Sequence, residues 1–431
     1  MRAFLLVSML FLAGYAAEAG TIPFQFVSQP VPIVDASQCA AVGDLNRDGK
    51  LDVVVAGNSA GNPISVLLGL GDGGLKLATN FPTAGSPTAL ALADFDHDGF
   101  LDLATVSWYQ SVLSLRIGNG DGSFKAESPF LVGEHPTSLV TGDFNRDGAL
   151  DVAVALSGSN SVAILLGNGQ GGFSNANVFV AQAGPYALVT ADFDGDGIDD
   201  IATANYGAGS VSILMGDGEG HFNAVSHHPV GPVPPRLVIA QIHNDGAVDL
   251  LTNPSGRRLV ALNGTTGGTF TTATNTSGPT APTDLCVMDL NGDGVADLAT
   301  VANGGFGIFT NISLGAPALA TNYSTSITHG FWIRTADLNG DGLPDVLCGG
   351  SESSKLAVFL NRSLPKLSIS PDNGLQVRWS TNYPQFQLQS STNLLNAGAW
   401  TAMMNVVLSG GSNVLFEPSA SPQKFFRLLV P

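Results

Sequence analysis

The stretch "GDLNRDGKLDVVV", residues 43–55, sets Asp44, Asp48 and Asp52 within nine residues, with Asn46 between the first two. Only 12% of the 431 residues are charged, about half the usual share. Like charges this close repel, so their crowding calls for a compensating partner. The stretch recurs as "ADFDHDGFLDLAT" (93–105), "GDFNRDGALDVAV" (142–154) and "ADFDGDGIDDIAT" (191–203). It returns again as "AQIHNDGAVDLLT" (240–252), "MDLNGDGVADLAT" (288–300) and "ADLNGDGLPDVLC" (336–348). First positions fall at 44, 94, 143, 192, 241, 289 and 337, in steps of 50, 49, 49, 49, 48 and 48 residues. So regular a period marks a repeat architecture.

Every copy except the fifth reads D-x-[DN]-x-D-G-x-x-D. Oxygen side chains at positions 1, 3 and 5, a glycine at 6 and a free carbonyl at 7 are how a loop wraps Ca²⁺. Glycine permits the sharp turn, and carboxylates that repel when alone support one another around a divalent ion. An EF-hand needs Glu at position 12 and a following helix. Here position 12 is Val55, Thr105, Val154, Thr203, Thr300 and Cys348, and flanks such as "LDVVVAG" are strand-like. A calcium loop between two β-strands is therefore predicted. Metal-free Asx-turns explain one or two acids per turn, not three or four. In the fifth copy Gln241 and His243 replace ligands, leaving Asp245 and Asp249, so that loop is expected to be empty or weak. Six occupied loops would move the net charge from −18 to about −6.

The rest of each unit repeats as well. The second runs "SPTALALAD", acidic loop, "LDLATVS", "WYQ", "SVLSLRIGN", "GDG", "SFKAESPFLV". Four short strands at this period suit a β-propeller blade. The seventh unit stops after "LAVFLNRS", one strand short, while the N-terminal "IPFQFVSQPVP" is a strand without a partner. Sharing one blade between the two chain ends would remove two open edges. The predicted fold class is all-β: seven four-stranded blades closed by the N-terminal strand over residues 20–365, followed by a small β module at 366–431.

These units resemble FG-GAP/VCBS repeats, and the array resembles the N-terminal propeller of integrin α-subunits. The likeness covers residues 22–364. The literal Phe-Gly and Gly-Ala-Pro motifs are mostly missing, which brings it nearer the bacterial VCBS style. The resemblance implies calcium between the first and second strands of a blade. Carried over, the ligands are Asp44, Asn46, Asp48 and Asp52, then Asp94, Asp96, Asp98 and Asp102. The third and fourth loops offer Asp143, Asn145, Asp147 and Asp151, then Asp192, Asp194, Asp196 and Asp200. The last two offer Asp289, Asn291, Asp293 and Asp297, then Asp337, Asn339, Asp341 and Asp345.

The remaining signals bound the function. "MRAFLLVSMLFLAGYAAEAG" has a basic start, an apolar run and the small-x-small site Ala17-Glu18-Ala19, the layout of a cleaved signal peptide over residues 1–19. Export to the periplasm, the cell surface or beyond is expected, and the mature chain has no membrane span. With 35 acidic against 17 basic residues, nucleic acid and anionic membranes are poor partners. Cys39, Cys286 and Cys348 read as small buried thiols, with a Cys39–Cys348 bridge as the alternative. "GNSAG" (57–61) would place Ser59 in a hairpin rather than a nucleophile elbow. "GLGDGG" (69–74) and "GNGQGG" (167–172) precede no helix, so the dinucleotide reading fails. His227 and His228 read as a solvated strand end. After Pro365, runs such as "KLSIS" and "LQVRWS" suggest a fibronectin-like sandwich for spacing or attachment.

By analogy the ligand face is the rim opposite the acidic loops, with Trp108, Tyr109, His135, Tyr186, Tyr206, Arg236, Arg257, Arg258, His329 and Trp332 as candidates. Aromatics with Arg stack on sugar rings or grip a protein loop. The favoured reading is a monomeric, non-catalytic propeller that binds an extracellular glycan or protein in recognition or adhesion. The alternatives are a calcium-dependent carbohydrate-active enzyme, such as a polysaccharide lyase, and a purely structural surface spacer.

Overall fold

The structure is a computed structural model. It describes the chain from Phe24 to Asn361 except 27–30, 34–36, 58–62, 84, 244, 256–258, 275–281, 291–294, 303, 311, 313–317, 326, 328 and 352–353, and the backbone of the strands between 368 and 429. Residues Ile22–Arg362 form one compact unit, and the C-terminal strands belong to a second. No α-helix occurs among the described residues, and none is long and apolar enough to cross a membrane.

The first unit is a ring of seven antiparallel sheets, here blades I to VII. Blade I comprises Ser37–Gly43, Asp52–Gly57, Pro63–Gly69 and Leu75–Pro82, in that spatial order. Blades II to VI repeat the pattern from first strands Pro87–Ala93, Pro136–Gly142, Pro185–Ala191, Leu237–Ala240 and Asp284–Met288. Blade VII has Gly330–Ala336, Asp345–Gly350 and Lys355–Asn361 from the C-terminal side of the repeat. Its outer edge is covered by the N-terminal strand: Phe24–Phe26 pairs antiparallel with Lys355–Asn361, and Val31–Pro32 pairs with the same strand. The predicted closure is therefore the observed one. First strands touch the first strands of the next blade all round the ring, and that of blade VII touches that of blade I.

Sequence pattern explains each strand's place. Second strands such as Asp52–Gly57, Asp102–Ser107 and Asp151–Leu156 are buried along their whole length, because neighbouring blades cover both faces. They read accordingly as continuous runs of small and β-branched residues. The fourth strand of blade I, Leu75–Pro82, alternates between exposed and half-buried residues, as an outer edge should. A recurring Pro-Thr dipeptide at or just before the first strand ties blades together. The hydroxyl of Thr88 donates to Pro136 O at 2.9 Å, that of Thr137 to Pro185 O at 3.1 Å, and that of Thr283 to Gly330 O at 2.5 Å. At the closing seam the bond runs the other way, from Ser37 Oγ of blade I to Gly350 O at the end of the second strand of blade VII, at 3.1 Å.

That seam corrects one expectation. Trp332 is not on a ligand face: it is 1% exposed and packs in a core with Val31, Ile33, Ala40, Val53 and Leu356. Its indole N–H donates to Ser37 Oγ at 3.1 Å, and a Cβ on Gly349 would lie 2.5 Å from the ring. Trp332 thus joins the last blade, the first blade and the N-terminal strand. The cysteines are free, Cys39 and Cys348 buried and Cys286 half-buried, so the alternative Cys39–Cys348 bridge does not form. Burial pushes the Cys39 and Cys348 thiols up to about 12, which makes them poor nucleophiles.

In the second unit, Ser368–Ser370, Leu375–Ser380, Ser412–Glu417 and Val406–Ser409 form one antiparallel sheet. Thr401–Ala402, Gln387–Ser391 and Phe425–Leu429 form another.

Truncating Trp332 to Ala should destabilise the propeller by about 3–5 kcal/mol, as removal of a large buried aromatic does. A shifted urea midpoint with unchanged slope checks this; a midpoint within error of the native one would contradict the seam.

Candidate functional site

Each acidic loop joins the first strand of a blade to its second. The backbone winds through left-handed residues at position 4 (Arg47 at φ 55°, His97 at 58°, Arg146 at 58°) and glycine at position 6 (Gly49 at 80°, Gly99 at 85°, Gly148 at 86°). The position-1 carboxylate caps this turn: Asp44 accepts N–H bonds from Asp48 at 3.2 Å and Gly49 at 2.9 Å. Asp143 and Asp337 do the same in blades III and VII. Position 5 braces the exit, as when Asp98 accepts the Phe100 N–H at 2.8 Å.

The position-9 aspartate has a different place. Asp52, Asp102, Asp151, Asp249, Asp297 and Asp345 are 0% exposed and Asp200 is 1% exposed. One oxygen of Asp102 accepts the Phe95 N–H from the loop at 2.8 Å; the other accepts the Gly118 N–H from the end of the third strand at 2.8 Å. Asp52, Asp151, Asp200 and Asp345 repeat both bonds at 2.7–2.9 Å. In the fifth loop Asp249 keeps them, taking Ile242 N–H at 2.8 Å and Gly264 N–H at 2.9 Å, and adds His243 N–H at 2.9 Å. This carboxylate therefore ties loop to sheet even where the other acids are gone.

Among the described residues, two loops gather an acidic cluster that can hold a metal. Ligand oxygens of Asp94, Asp96 and Asp102 lie within 4.8 Å of one another, as do those of Asp192, Asp194 and Asp200. Asp94 Oδ1 is buried and accepts no hydrogen bond, an orphaned charge that a cation would satisfy. The donors are all hard oxygens, so the residues fit a hard divalent ion. Loops III and VII carry the expected residues in the same turn; Asn291 and Asp293 lie outside the described residues. Asp217, Glu219 and His221, on the exposed turn before the fourth strand of blade IV, form a third such group that the repeat did not flag.

Burial pushes the Asp102, Asp151 and Asp200 carboxyls up to about 6 and that of Asp345 up to about 7. Backbone N–H bonds oppose the shift, and neighbouring loop aspartates add to it.

The loops between second and third strands, and those linking successive blades, lie on the opposite rim. There Trp108 stacks on His135, with ring centroids 4.7 Å apart and an interplanar angle of 6°. Tyr186 meets Tyr206 at 5.3 Å. Tyr109 is 78% exposed and Tyr206 43%, and His329 is exposed. Arg236 is half-buried and paired with Asp284 rather than free at the rim. Arg257, Arg258 and Ser59 lie outside the described residues. His227 and His228 sit within an outer strand and meet Ser212 Oγ at 2.8 Å and Ser226 Oγ at 2.9 Å.

Fold and loops together define a class: a seven-bladed propeller of repeated hairpins, each with an acidic turn after its innermost strand. The family model described as FG-GAP-like repeat matches residues 44–105, 105–154, 143–203, 192–252, 241–300 and 289–348. The chain belongs to that family, and its ring is consistent with an integrin-α-like propeller. No curated protein matches in sequence. Among solved structures, BBS1N in complex with ARL6DN, soaked with mercury, is similar at 14% identity and TM-score 0.59, over 79% of this chain and 97% of that one. A functionally unknown protein from Desulfotomaculum acetoxidans DSM 771 is similar at 13% identity and TM-score 0.51, over 76% and 95%. Both likenesses concern the fold.

Two outcomes are expected. Asp249→Ala leaves three inward N–H groups without an acceptor and should cost on the order of 3 kcal/mol, although its loop lacks the other acids; chemical denaturation checks this. In metal-stripped protein the raised carboxyls stabilise the fold below their unfolded value of 3.8, and this is lost as pH climbs through about 6 to 7. The melting temperature should therefore fall across that window, and saturating divalent cation should reverse the trend; calorimetry at stepped pH reads both.

Proposed function

We propose that this protein is an exported, calcium-stabilised propeller that binds an extracellular glycan or protein on the rim opposite its acidic loops. The observation that carries the reading is the pairing of Trp108 with His135 and Tyr186 with Tyr206, beside exposed Tyr109, on one rim. Such rings present rigid apolar faces with polar tips at little entropic cost. A sugar ring or a protein loop can stack on them.

Calcium has the supporting role. The clustered hard oxygens and the orphaned Asp94 Oδ1 support the assignment. An ion bound only to the folded chain adds stability by mass action. Asp94 and Asp192 would hold it from the start of their loops, with Asp96 and Asp194 alongside. The fifth loop, with Gln241 and His243 in place of acids, would stay empty. The similar propeller BBS1N is described in complex with ARL6DN, so this fold serves protein recognition in at least that case. The leader-like residues 1–19 support export.

A glycan and protein-ligand screen on the full chain tests the reading. We expect saturable binding that Trp108→Ala or Tyr206→Ala weakens at least tenfold without lowering the melting temperature. Calcium removal should lower the melting temperature by several degrees. Binding unchanged in both variants would refute the rim assignment.

A further inference from the structure

The first strands of the seven blades line the axis of the ring. Of all their residues, only Asp284 and Arg334 are charged, and Arg236 directly precedes the first strand of blade V. These three meet. Asp284 Oδ1 accepts from Arg236 Nε at 2.9 Å; its Oδ2 accepts from Arg334 Nη1 at 2.9 Å and from the Ile333 N–H at 3.1 Å. Arg334 Nε donates to Ala40 O at 3.1 Å and Nη1 also to Ile333 O at 2.6 Å, while Arg236 Nη1 donates to Pro235 O at 3.2 Å. The cluster spans blades V, VI, VII and I.

Two guanidiniums face one carboxylate, so one positive charge is left over. The other groups acting on Arg334 are the thiols of Cys286 and Cys39, both pushed up by burial and therefore neutral. The Asp284 side chain is only 6% exposed, whereas those of Arg236 and Arg334 are 22% and 38% exposed, so water reaches the cations but hardly their partner. Among the described residues, Nη2 of each arginine has no acceptor. The surplus charge therefore faces solvent where an incoming anion can reach it, and a guanidinium edge matches the geometry of an oxyanion.

We propose that this cluster is an anion site: a small oxyanion, a carboxylate or a sulfate-like group, binds at the axis of the ring between the Nη2 donors of Arg236 and Arg334. The site stands apart from the acidic loops and does not depend on the rim aromatics. Asp284 is the resident counter-charge: it pairs with both guanidiniums and offsets one of the two positive charges, leaving the other to the ligand.

The test is a thermal-shift and calorimetric titration of the calcium-replete full chain with acetate and with sodium sulfate, at constant ionic strength in a low-chloride buffer. The native protein should give a saturable response to at least one probe, and the tighter probe names the group. Arg334→Met should weaken the midpoint tenfold or more. Asp284→Asn, which raises the surplus to two charges, should tighten it. Both substitutions break the same Arg334–Asp284 pair, so a purely structural brace would lower the melting temperature in both and shift neither midpoint in opposite directions. Should Arg334→Met fail to fold, Arg334→Lys keeps the charge, loses the fork and should still bind more weakly. No saturable response in native protein, or midpoints that move together, would overturn the proposal.

Discussion

The fold depends on a buried carboxylate repeated around a ring. At the start of every second strand an aspartate is sealed from solvent and accepts one N–H from its loop and, in blades I to V and VII, one from the end of the third strand. Three segments of one blade, the loop, the second strand and the end of the third, meet at that one side chain. Burying a charge is costly unless it is fully hydrogen-bonded. Here the bonds are charge-assisted and short, which makes them the strong kind. The loop, the sheet and the inner wall of the blade are consequently fixed together, and position 9 persists in the fifth unit after positions 1 and 3 have changed.

This separates two roles that the repeat motif merges. Positions 1, 3 and 5 shape and brace the turn itself; position 9 faces inward and holds the sheet. In blade II both sets converge closely enough to share an ion, and Asp94 keeps an oxygen with no hydrogen bond. In blade V only the inward role survives.

Neighbouring blades are bound by small repeated contacts, the threonine bonds of the Pro-Thr dipeptides and, on the acidic face, arginines at position 4. Arg47 donates to Gly99 O and lies over the Phe100 ring at 4.4 Å; Arg146 reaches Asp196 O at 3.2 Å. Closure uses different parts. Trp332, Ser37 and the N-terminal strand fill the seam, and the Arg236–Asp284–Arg334 cluster spans it near the axis. The closing region is thus both the most aromatic and the most charged part of the inner wall.

Much of this was legible in the sequence. The period of the acidic turns, their strand-like flanks and the missing strand of the seventh unit determined blade number, strand order and closure, because each depends on local pattern and chain connectivity. The oxygen-bearing side chains at positions 1, 3 and 5 were equally plain, since they lie within a few residues of one another. What only the tertiary structure decided are matters of which distant side chains meet. Trp332 and Tyr109 are both aromatics near loops, yet one is sealed in the seam and the other stands in solvent, because Gly349 and Ser37, from opposite ends of the propeller sequence but adjacent across the seam, make room for the indole. Arg236 looked like a rim cation, but a carboxylate 48 residues away draws it to the axis. The lone charges in "GFWIRTA" and "PTDLC" were a usable signal, since an ionised residue on an otherwise uncharged inner strand needs a partner. Which partner it finds is set by ring closure, and that geometry belongs to the folded chain.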